Sequence, residues 1–320
     1  MVPNPDTLLD IANLVMINPV GTGFSRELYP GGGQTFWSVQ GHVESVERLI
    51  RTWLADYGRS GSLIYIAGKS YGGYLAGFLA STLSDLDVRG VFLLSPGIAL
   101  SDYVTALHKR SGLPPADQDR VAQHVSKIIG LPISFIADAN LRVNSQTFLE
   151  KLVPGTIVGR LDSRAAGNVP TVKDPARDAA QDDPSLGLEG GNVRISKPVA
   201  DHFREMGAKA PGDYIVLTLD LNFRWDWRPH ATSWDANLAL DAAPAYACFT
   251  AALLKAHIVI AAAHNDFPVT PTLAPYSFAH SCVPLDRVDF SYYDAGHTIS
   301  DDPAARKLLV CDIRSFIGGQ

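Results

Sequence analysis

The sequence predicts an α/β fold in which helices cover both faces of a mostly parallel sheet and an inserted, mainly helical cap lies over it. Short apolar runs of strand length alternate with longer segments of helical periodicity at both ends of the chain. This pattern is typical of parallel strands joined by crossover helices. The alternation stops between residues 101 and 247 and then resumes. We therefore divide the chain into a first core part (1–100), an insertion (101–247) and a second core part (248–320).

Three strands and two helices are predicted in the first core part. The strands cover residues 13–18, 62–67 and 91–94, and the helices cover residues 43–57 and 71–83. Pro19 should end the first strand, because proline has no N–H to donate to a neighbouring strand. In the first helix the apolar residues recur every three or four positions, which is the spacing of one helix face.

The insertion and the second core part differ in pattern. Up to residue 152 the insertion has helical character, whereas residues 161–195 are rich in Asp, Gly and Pro and are predicted to form a loop. Residues 214–227 are aromatic and polar. The second core part is predicted to contain strands at 257–262 and 288–293, a helical segment after Pro271 and a last helix at 303–317.

Composition and charge narrow the classes of partner. The chain has 320 residues, of which 46% are apolar and 19% charged, as in ordinary globular proteins. Its net charge is −6 and it has no basic block, so we expect no nucleic-acid partner. No apolar run approaches the roughly 18 residues of a spanning helix, so we expect no membrane partner. Nothing in the sequence indicates the compartment or the oligomeric state.

The three cysteines are Cys248, Cys282 and Cys311, and no pair has Cys-x-x-Cys spacing. Their number and spacing predict buried thiols rather than a disulfide framework or a zinc site. His257 and His264 also lack the spacing of two zinc ligands on one helix face. We therefore expect no metal.

The stretch Gly68-Lys69-Ser70-Tyr71-Gly72 matches the pattern G-x-S-x-G between a predicted strand and a predicted helix. In that context the serine sits on a sharp turn that exposes its hydroxyl, and the glycines allow strand and helix to approach. The helix that follows directs backbone N–H groups toward a developing oxyanion. Ser70 is therefore predicted to be a nucleophile, and the alternative is a structural serine in a tight turn.

A serine nucleophile needs a base, and the base needs an orienting carboxylate. Asp266 follows the predicted strand at 257–262, and His297 follows the strand at 288–293. The order Ser, Asp, His is the one this architecture uses, so we predict a triad. The alternatives are a turn-forming aspartate before Pro268 and a loop histidine near Gly296.

A dinucleotide-binding loop is the competing interpretation of the N-terminal glycines. Gly21-Thr22-Gly23 resembles the opening of such a loop, but Arg26 occupies the place of the third glycine. A turn after a strand is the better interpretation, and no cofactor is expected.

Four motifs occur in a fixed order along the chain: NPVGTGFSR (18–26), AGKSYGG (67–73), HNDFPVTP (264–271) and YYDAGHT (292–298). Through these motifs the chain resembles the serine carboxypeptidase family, and it resembles the bacterial members more than the vacuolar ones. The resemblance implies an α/β-hydrolase fold with a cap, and release of C-terminal residues from a peptide substrate through an acyl-enzyme. It implies Ser70 as nucleophile, His297 as general base and acid, and Asp266 as its orienting partner. The Tyr71 N–H would be an oxyanion donor, with Gly72 beside it.

The chain departs from the family at its N-terminal side. The family's N-G-G-P-G motif, which supplies a second oxyanion N–H, is not found before GTGFS. Loss of one such donor typically costs about 10²–10³ in rate. We therefore expect the N-terminal strands of the sheet to be missing, as in a fragment or shortened reading frame. HNDFPVTP also has one residue more between Asp266 and Thr270 than the family pattern.

Lys69 stands where the family has glutamate. One hypothesis is that its ammonium group pairs with a carboxylate of the substrate; the alternative is that it points to solvent or joins a salt bridge. Two further functions stay open beside the carboxypeptidase: a hydrolase-fold protein with impaired or no catalysis, and an esterase or acyltransferase on the same scaffold.

Overall fold

A computed structural model describes residues 4–98, 115–141, 145–169, 182–186, 191–208 and 240–319, with shorter pieces at 143, 212, 214–216, 218, 221 and 224–227. The strands are β1 (Ile64–Lys69), β2 (Val88–Leu94), β3 (Thr156–Val158), β4 (Ala166–Asn168), β5 (His257–Ala263) and β6 (Val288–Tyr293). The helices are α1 (Val39–Asp56), α2 (Gly72–Thr82), α3 (Pro115–Ile129), α4 (Ile133–Asp138), α5 (Ser145–Lys151), α6 (Gly191–Glu205), α7 (Ala243–Ala252), α8 (Leu273–Ala279) and α9 (Pro303–Gly318). Short 3-10 helices cover Gln34–Phe36, Leu285–Arg287 and Ile299–Asp301.

The centre of the fold is a parallel four-stranded sheet in the order β1-β2-β5-β6. Helix α2 connects β1 to β2, and α8 lies between β5 and β6. The predicted α/β fold is thereby confirmed. The strands of this sheet and the helices packed on it lie within a few residues of their predicted positions. They could be predicted because the apolar periodicity of a strand or helix is a property of consecutive residues.

Helices cover both faces of this sheet. Along β2, Val91 and Leu93 face a core built with α1, α2, α7 and α8, whereas Phe92 between them faces a second core under α9. The same alternation occurs along β5, where Ile258 and Val259 belong to different cores. Because both faces are buried, these central strands are continuous apolar runs.

The strand predicted at residues 13–18 is wrong. These residues have no regular structure and pair with no strand among the described residues, and Met16 is 85% exposed. A strand exists only where its backbone N–H and C=O groups have partners on a neighbour. Within the described residues the outer edge of β1 is also unpaired, so the two segments do not pair with each other.

The insertion leaves and rejoins the core at adjacent points, since the N–H of Ala242 donates to the carbonyl of Ile98 at 2.9 Å. Helices α3, α4 and α5 occupy its first part, as predicted, although residues 99–114 lie outside the described range. The predicted loop at 161–195 is wrong in two places, because β4 pairs with β3 and α6 begins at Gly191. The rest of that loop largely lies outside the described residues, and the boundaries of the insertion stay a prediction.

The aromatic stretch of the insertion contacts the N-terminal segment. Gly23 and Ile215 exchange two backbone hydrogen bonds of 2.8 and 2.9 Å, and the N–H of Val39 donates to the carbonyl of Asp226. Phe24 packs edge-on against Tyr214. Part of the insertion is therefore held against the loop that precedes α1.

The predicted burial of the cysteines is wrong, because Cys248, Cys282 and Cys311 are free and exposed. Sequence spacing carries no information about which face of an element a thiol occupies.

In the described part of the chain, no helix combines the length and apolarity needed to cross a membrane.

The two-sided core gives a stability prediction. Leu93 is fully buried in β2, whereas Leu308 lies on the exposed face of α9. Leu93→Ala should lower the free energy of unfolding by about 2–5 kcal/mol through lost burial and the cavity left behind. Leu308→Ala is the matched control and should change it by less than about 0.5 kcal/mol. Urea unfolding measures both, and equal effects would contradict the assignment of Leu93 to the core.

Candidate active site

Ser70 occupies a strained turn between β1 and α2. Its φ is 55°, in the left-handed region, which non-glycine residues rarely adopt. Its N–H donates to the carbonyl of Leu94 at 3.0 Å, and its own carbonyl accepts from the N–H groups of Gly73 and Gly97 at 2.8 and 2.9 Å. Three backbone hydrogen bonds, two of them to the segment that ends β2, therefore hold the turn that displays the predicted nucleophile.

Two glycines allow this turn to close. A Cβ on Gly68 would lie 2.2 Å from the carbonyl oxygen of Gly72, and a Cβ on Gly73 would lie 2.5 Å from that of Gly97. A Cβ on Gly72 would meet nothing within 4 Å. The close approach of strand and helix thus depends on Gly68 and Gly73. The expectation that both glycines of the G-x-S-x-G motif allow this approach is wrong for Gly72.

Asp266 and His297 form a buried hydrogen-bonded pair. Nδ1 of His297 lies 2.8 Å from Oδ2 of Asp266, and the two residues are only 6% and 3% exposed. The other carboxylate oxygen accepts the N–H of Val269 at 3.3 Å. With Nδ1–H directed to the carboxylate, Nε2 is left as the basic nitrogen. The sequence-based pairing of these two residues therefore exists in the structure.

All three residues follow the carboxyl ends of parallel strands: Ser70 follows β1, Asp266 follows β5 and His297 follows β6. Because these strands run in one direction, the three residues share one edge of the sheet, which is where open α/β sheets bind ligands.

Lys69 connects the serine turn with the histidine loop. Its Nζ donates to Oγ1 of Thr298, the residue after His297, at 2.5 Å. Within the described residues it has no ion pair. Desolvation lowers the pKa of Lys69 below its ordinary value, and the carboxylates of Asp301 and Asp266 oppose that shift. Among the described residues, Lys69 is therefore a cation without a paired carboxylate that lies next to the Ser70 turn and the loop of His297.

Tyr71 presents the predicted oxyanion donor. It is the N-cap residue of α2, and its carbonyl accepts from the N–H groups of Tyr74 and Leu75 at 3.0 and 3.3 Å. Within the described part of the chain, its own N–H has no hydrogen-bond partner. A free N–H at a helix start is suited to an oxyanion; the substrate-binding roles of Lys69, Tyr71 and Gly72 stay predictions.

The Tyr71 side chain belongs to an aromatic cluster that no motif in the sequence predicts. His42 of α1 stacks on its ring with centroids 5.8 Å apart, while Trp225 and Trp227 of the insertion meet it edge-on at 5.3 and 5.5 Å. His42 is 6% exposed, and burial lowers its pKa to about 4. The signal in the sequence was the aromatic stretch 214–227, but nothing there connects it with Ser70.

No known protein family is matched by the sequence of the chain. A scan against protein-family models finds no match, and neither does a search of the curated proteins. The resemblance to serine carboxypeptidases therefore stays a prediction.

Solved structures similar to the chain include a lipase, a serine hydrolase and a structure from a study of carboxylesterases. A monoacylglycerol lipase of Paleococcus ferrophilus is 14% identical with a TM-score of 0.34, and the match covers 87% of this chain and 76% of the lipase. A serine hydrolase of Cycloclasticus zankles is 15% identical with a TM-score of 0.40, covering 93% and 77%. A structure from a study of carboxylesterases of Nitrososphaera gargenis is 12% identical with a TM-score of 0.38, covering 87% and 74%. At these identities and TM-scores the likeness carries no argument about activity, and the fold rests on the sheet order and strand direction described above.

The glycine geometry predicts opposite effects for two neighbouring substitutions. Gly68→Ala forces a Cβ against backbone and should destabilise the protein by about 1–3 kcal/mol or more. Gly72→Ala places a Cβ in open space at a helical position and should stabilise it by about 0.4–1 kcal/mol, because the unfolded chain loses freedom. Urea unfolding of the two variants measures the difference. Equal destabilisation by both would contradict the described packing at the turn.

Proposed function

We propose that the chain is a serine hydrolase that cleaves carboxylic esters through an acyl-enzyme. The observation that carries the proposal is the buried hydrogen bond between His297 and Asp266 at the sheet edge that also bears the strained Ser70 turn. A neutral imidazole with one nitrogen held by a carboxylate is the general base that serine nucleophiles require.

The reaction follows from these groups. The Ser70 hydroxyl oxygen attacks the carbonyl carbon of the ester while His297 Nε2 takes the hydroxyl proton. The oxyanion that forms is stabilised by the Tyr71 N–H, the imidazolium stays paired with Asp266, and its proton passes to the leaving alcohol as the carbon–oxygen bond breaks. Water then attacks the acyl-enzyme while His297 takes one of its protons. The bond from the acyl carbon to the Ser70 oxygen breaks, the imidazolium returns its proton to that oxygen, and the acid is released.

Esters are favoured over amides for a chemical reason. The proposal assigns one oxyanion donor at the turn, the N–H of Tyr71, and the lack of a second donor would typically cost about 10²–10³ in rate. Ester cleavage tolerates this loss better, because an alkoxide leaves more readily than an amide nitrogen.

A serine carboxypeptidase is the second candidate, and Lys69 is the observation that favours it. Its ammonium group lies beside the serine turn, bonded to Thr298, where it would meet a terminal carboxylate of a peptide substrate. A third candidate, a hydrolase fold without catalysis, is distinguished by whether Ser70 reacts with a fluorophosphonate.

A fluorophosphonate probe tests the nucleophile. Wild-type protein and the Ser60→Ala variant, which alters an exposed serine in the loop before β1, should be labelled, and Ser70→Ala should not. Labelling that persists in Ser70→Ala would show a different nucleophile. A folded wild type that takes no label would support the protein without catalysis.

Lys69→Met tests the role of the cation. If Lys69 binds a substrate carboxylate, the KM for an N-blocked dipeptide should rise roughly 10- to 100-fold, as expected for a lost charge-assisted contact, while the KM for a p-nitrophenyl ester stays unchanged. Because the pKa of Lys69 is lowered, its charge is present at low pH and lost at a lower pH than for an ordinary lysine. The KM for the dipeptide should therefore rise as pH increases through that range.

Thr298→Val is the matched control for Lys69→Met, because it removes the hydrogen bond to Nζ but keeps the charge. It should leave the KM for the dipeptide near the wild-type value. Equal effects of Lys69→Met on dipeptide and ester would exclude carboxylate recognition, and absence of dipeptide hydrolysis in wild type would exclude the second candidate.

A further inference from the structure

Asp183 of the insertion is a buried carboxylate surrounded by hydrogen-bond donors. It is only 6% exposed, and it lies far from Asp266 and His297 in the sequence. Its oxygens accept the N–H of Arg160 at 2.9 Å, the N–H of Ser185 at 2.9 Å and the hydroxyl of Ser185 at 2.6 Å. Nε of Arg160 lies 3.8 Å away. A buried carboxylate with several donors is a stable anchor for the backbone around it.

Ser185 extends this anchor by one residue. Its Oγ donates to Asp183 and accepts the N–H of Leu161 at 2.8 Å. Asp183 and Ser185 together therefore hold two consecutive N–H groups, those of Arg160 and Leu161. We name residues 159–163 the support segment.

The support segment is hydrogen-bonded to both loops of the predicted triad. The carbonyl of Leu161 accepts the N–H of His297 at 2.6 Å. The carbonyl of Arg160 accepts the N–H of Phe267, next to Asp266, at 3.3 Å, and the N–H of Ser163 donates to the carbonyl of Asn265 at 3.0 Å. The N–H groups of Arg160 and Leu161 are thus held by the Asp183–Ser185 anchor. Their carbonyls accept hydrogen bonds from the loops that carry Asp266 and His297.

The fit around the histidine loop is close. A Cβ on Gly296 would lie 2.6 Å from the Cβ of Asp162, which belongs to the support segment. The loop before His297 therefore has no room to shift toward the support segment. The hydrogen bond from the His297 N–H to the carbonyl of Leu161 keeps the loop from moving away from it.

We propose that Asp183 and Ser185 are positioning residues for the His297–Asp266 pair, acting through the support segment. This inference rests on the proposed function, because it assigns these residues a part in the same reaction. Neither side chain contacts the reacting atoms; both set the place of the base relative to Ser70. A misplacement of about 1 Å at a catalytic group can cost about 10²-fold in rate.

Asp183→Asn and Ser185→Ala test the proposal with the full chain. Each should lower kcat for p-nitrophenyl acetate by roughly 10- to 100-fold and leave KM within about twofold, since substrate contacts are untouched. Asp201→Ala is the matched control, because Asp201 is a carboxylate of the same insertion that pairs with Lys197 and Arg204 on the outside of α6. It should keep wild-type kcat and KM.

A proton NMR measurement separates positioning from general destabilisation. In wild type the Nδ1–H of His297, bonded to Asp266, should give a strongly downfield resonance, assigned by its loss in His297→Ala. The signal should shift or broaden in folded Asp183→Asn and Ser185→Ala, and stay unchanged in Asp201→Ala.

Each outcome decides the proposal. Folded variants with wild-type kcat, or with lowered kcat and an unchanged resonance, overturn it. If Asp183→Asn does not fold, as judged by circular dichroism, Ser185→Ala decides alone. If wild type shows the resonance but hydrolyses no ester, the proposed function fails, and the resonance still tests the link from Asp183 to His297.

Discussion

The left-handed backbone of Ser70 is the constraint on which the rest of the candidate site depends. A non-glycine residue in this region is strained by about 1–3 kcal/mol, so the surroundings must hold it there. They do so through backbone hydrogen bonds to Leu94, Gly73 and Gly97 and through the absence of side chains at Gly68 and Gly73. The end of β2 is thus as much a part of the turn as β1 and α2, and the sheet register places the hydroxyl at the edge where β5 and β6 end.

The core and the insertion contribute differently to the site. The parallel strands bring Ser70, Asp266 and His297 to one edge, and the core residues on both faces keep those strands in register. The insertion contacts the loops that follow the strands: its support segment bonds the backbone beside Asp266 and at His297. Since loop backbones are less constrained than strands, these contacts determine how precisely the acid and the base are placed.

Around Tyr71 the insertion and the core meet through aromatic rings. His42 is uncharged near neutral pH, because burial lowers its pKa to about 4, and it therefore packs as a flat neutral ring against Tyr71 and Trp225. Both its ring nitrogens, the Tyr71 hydroxyl and the Trp225 Nε1–H are buried without a hydrogen-bond partner among the described residues. The residue that offers the free N–H of the serine turn is consequently held from both sides, by α1 and by the insertion.

The sequence by itself determined the alternation of strands and helices, the two-sided apolar pattern of β2 and β5, and the order of Ser70, Asp266 and His297, because periodicity and motif spacing are local properties. Only the tertiary structure decided that the apolar residues 13–18 form no strand, since a strand requires a partner as well as a composition. It also decided that Gly73 rather than Gly72 permits the close approach at the turn, and that Asp183 bears on His297. Those relations join segments distant in sequence, and nothing in a local pattern of residues specifies which distant backbone group will lie within hydrogen-bonding distance once the chain has folded.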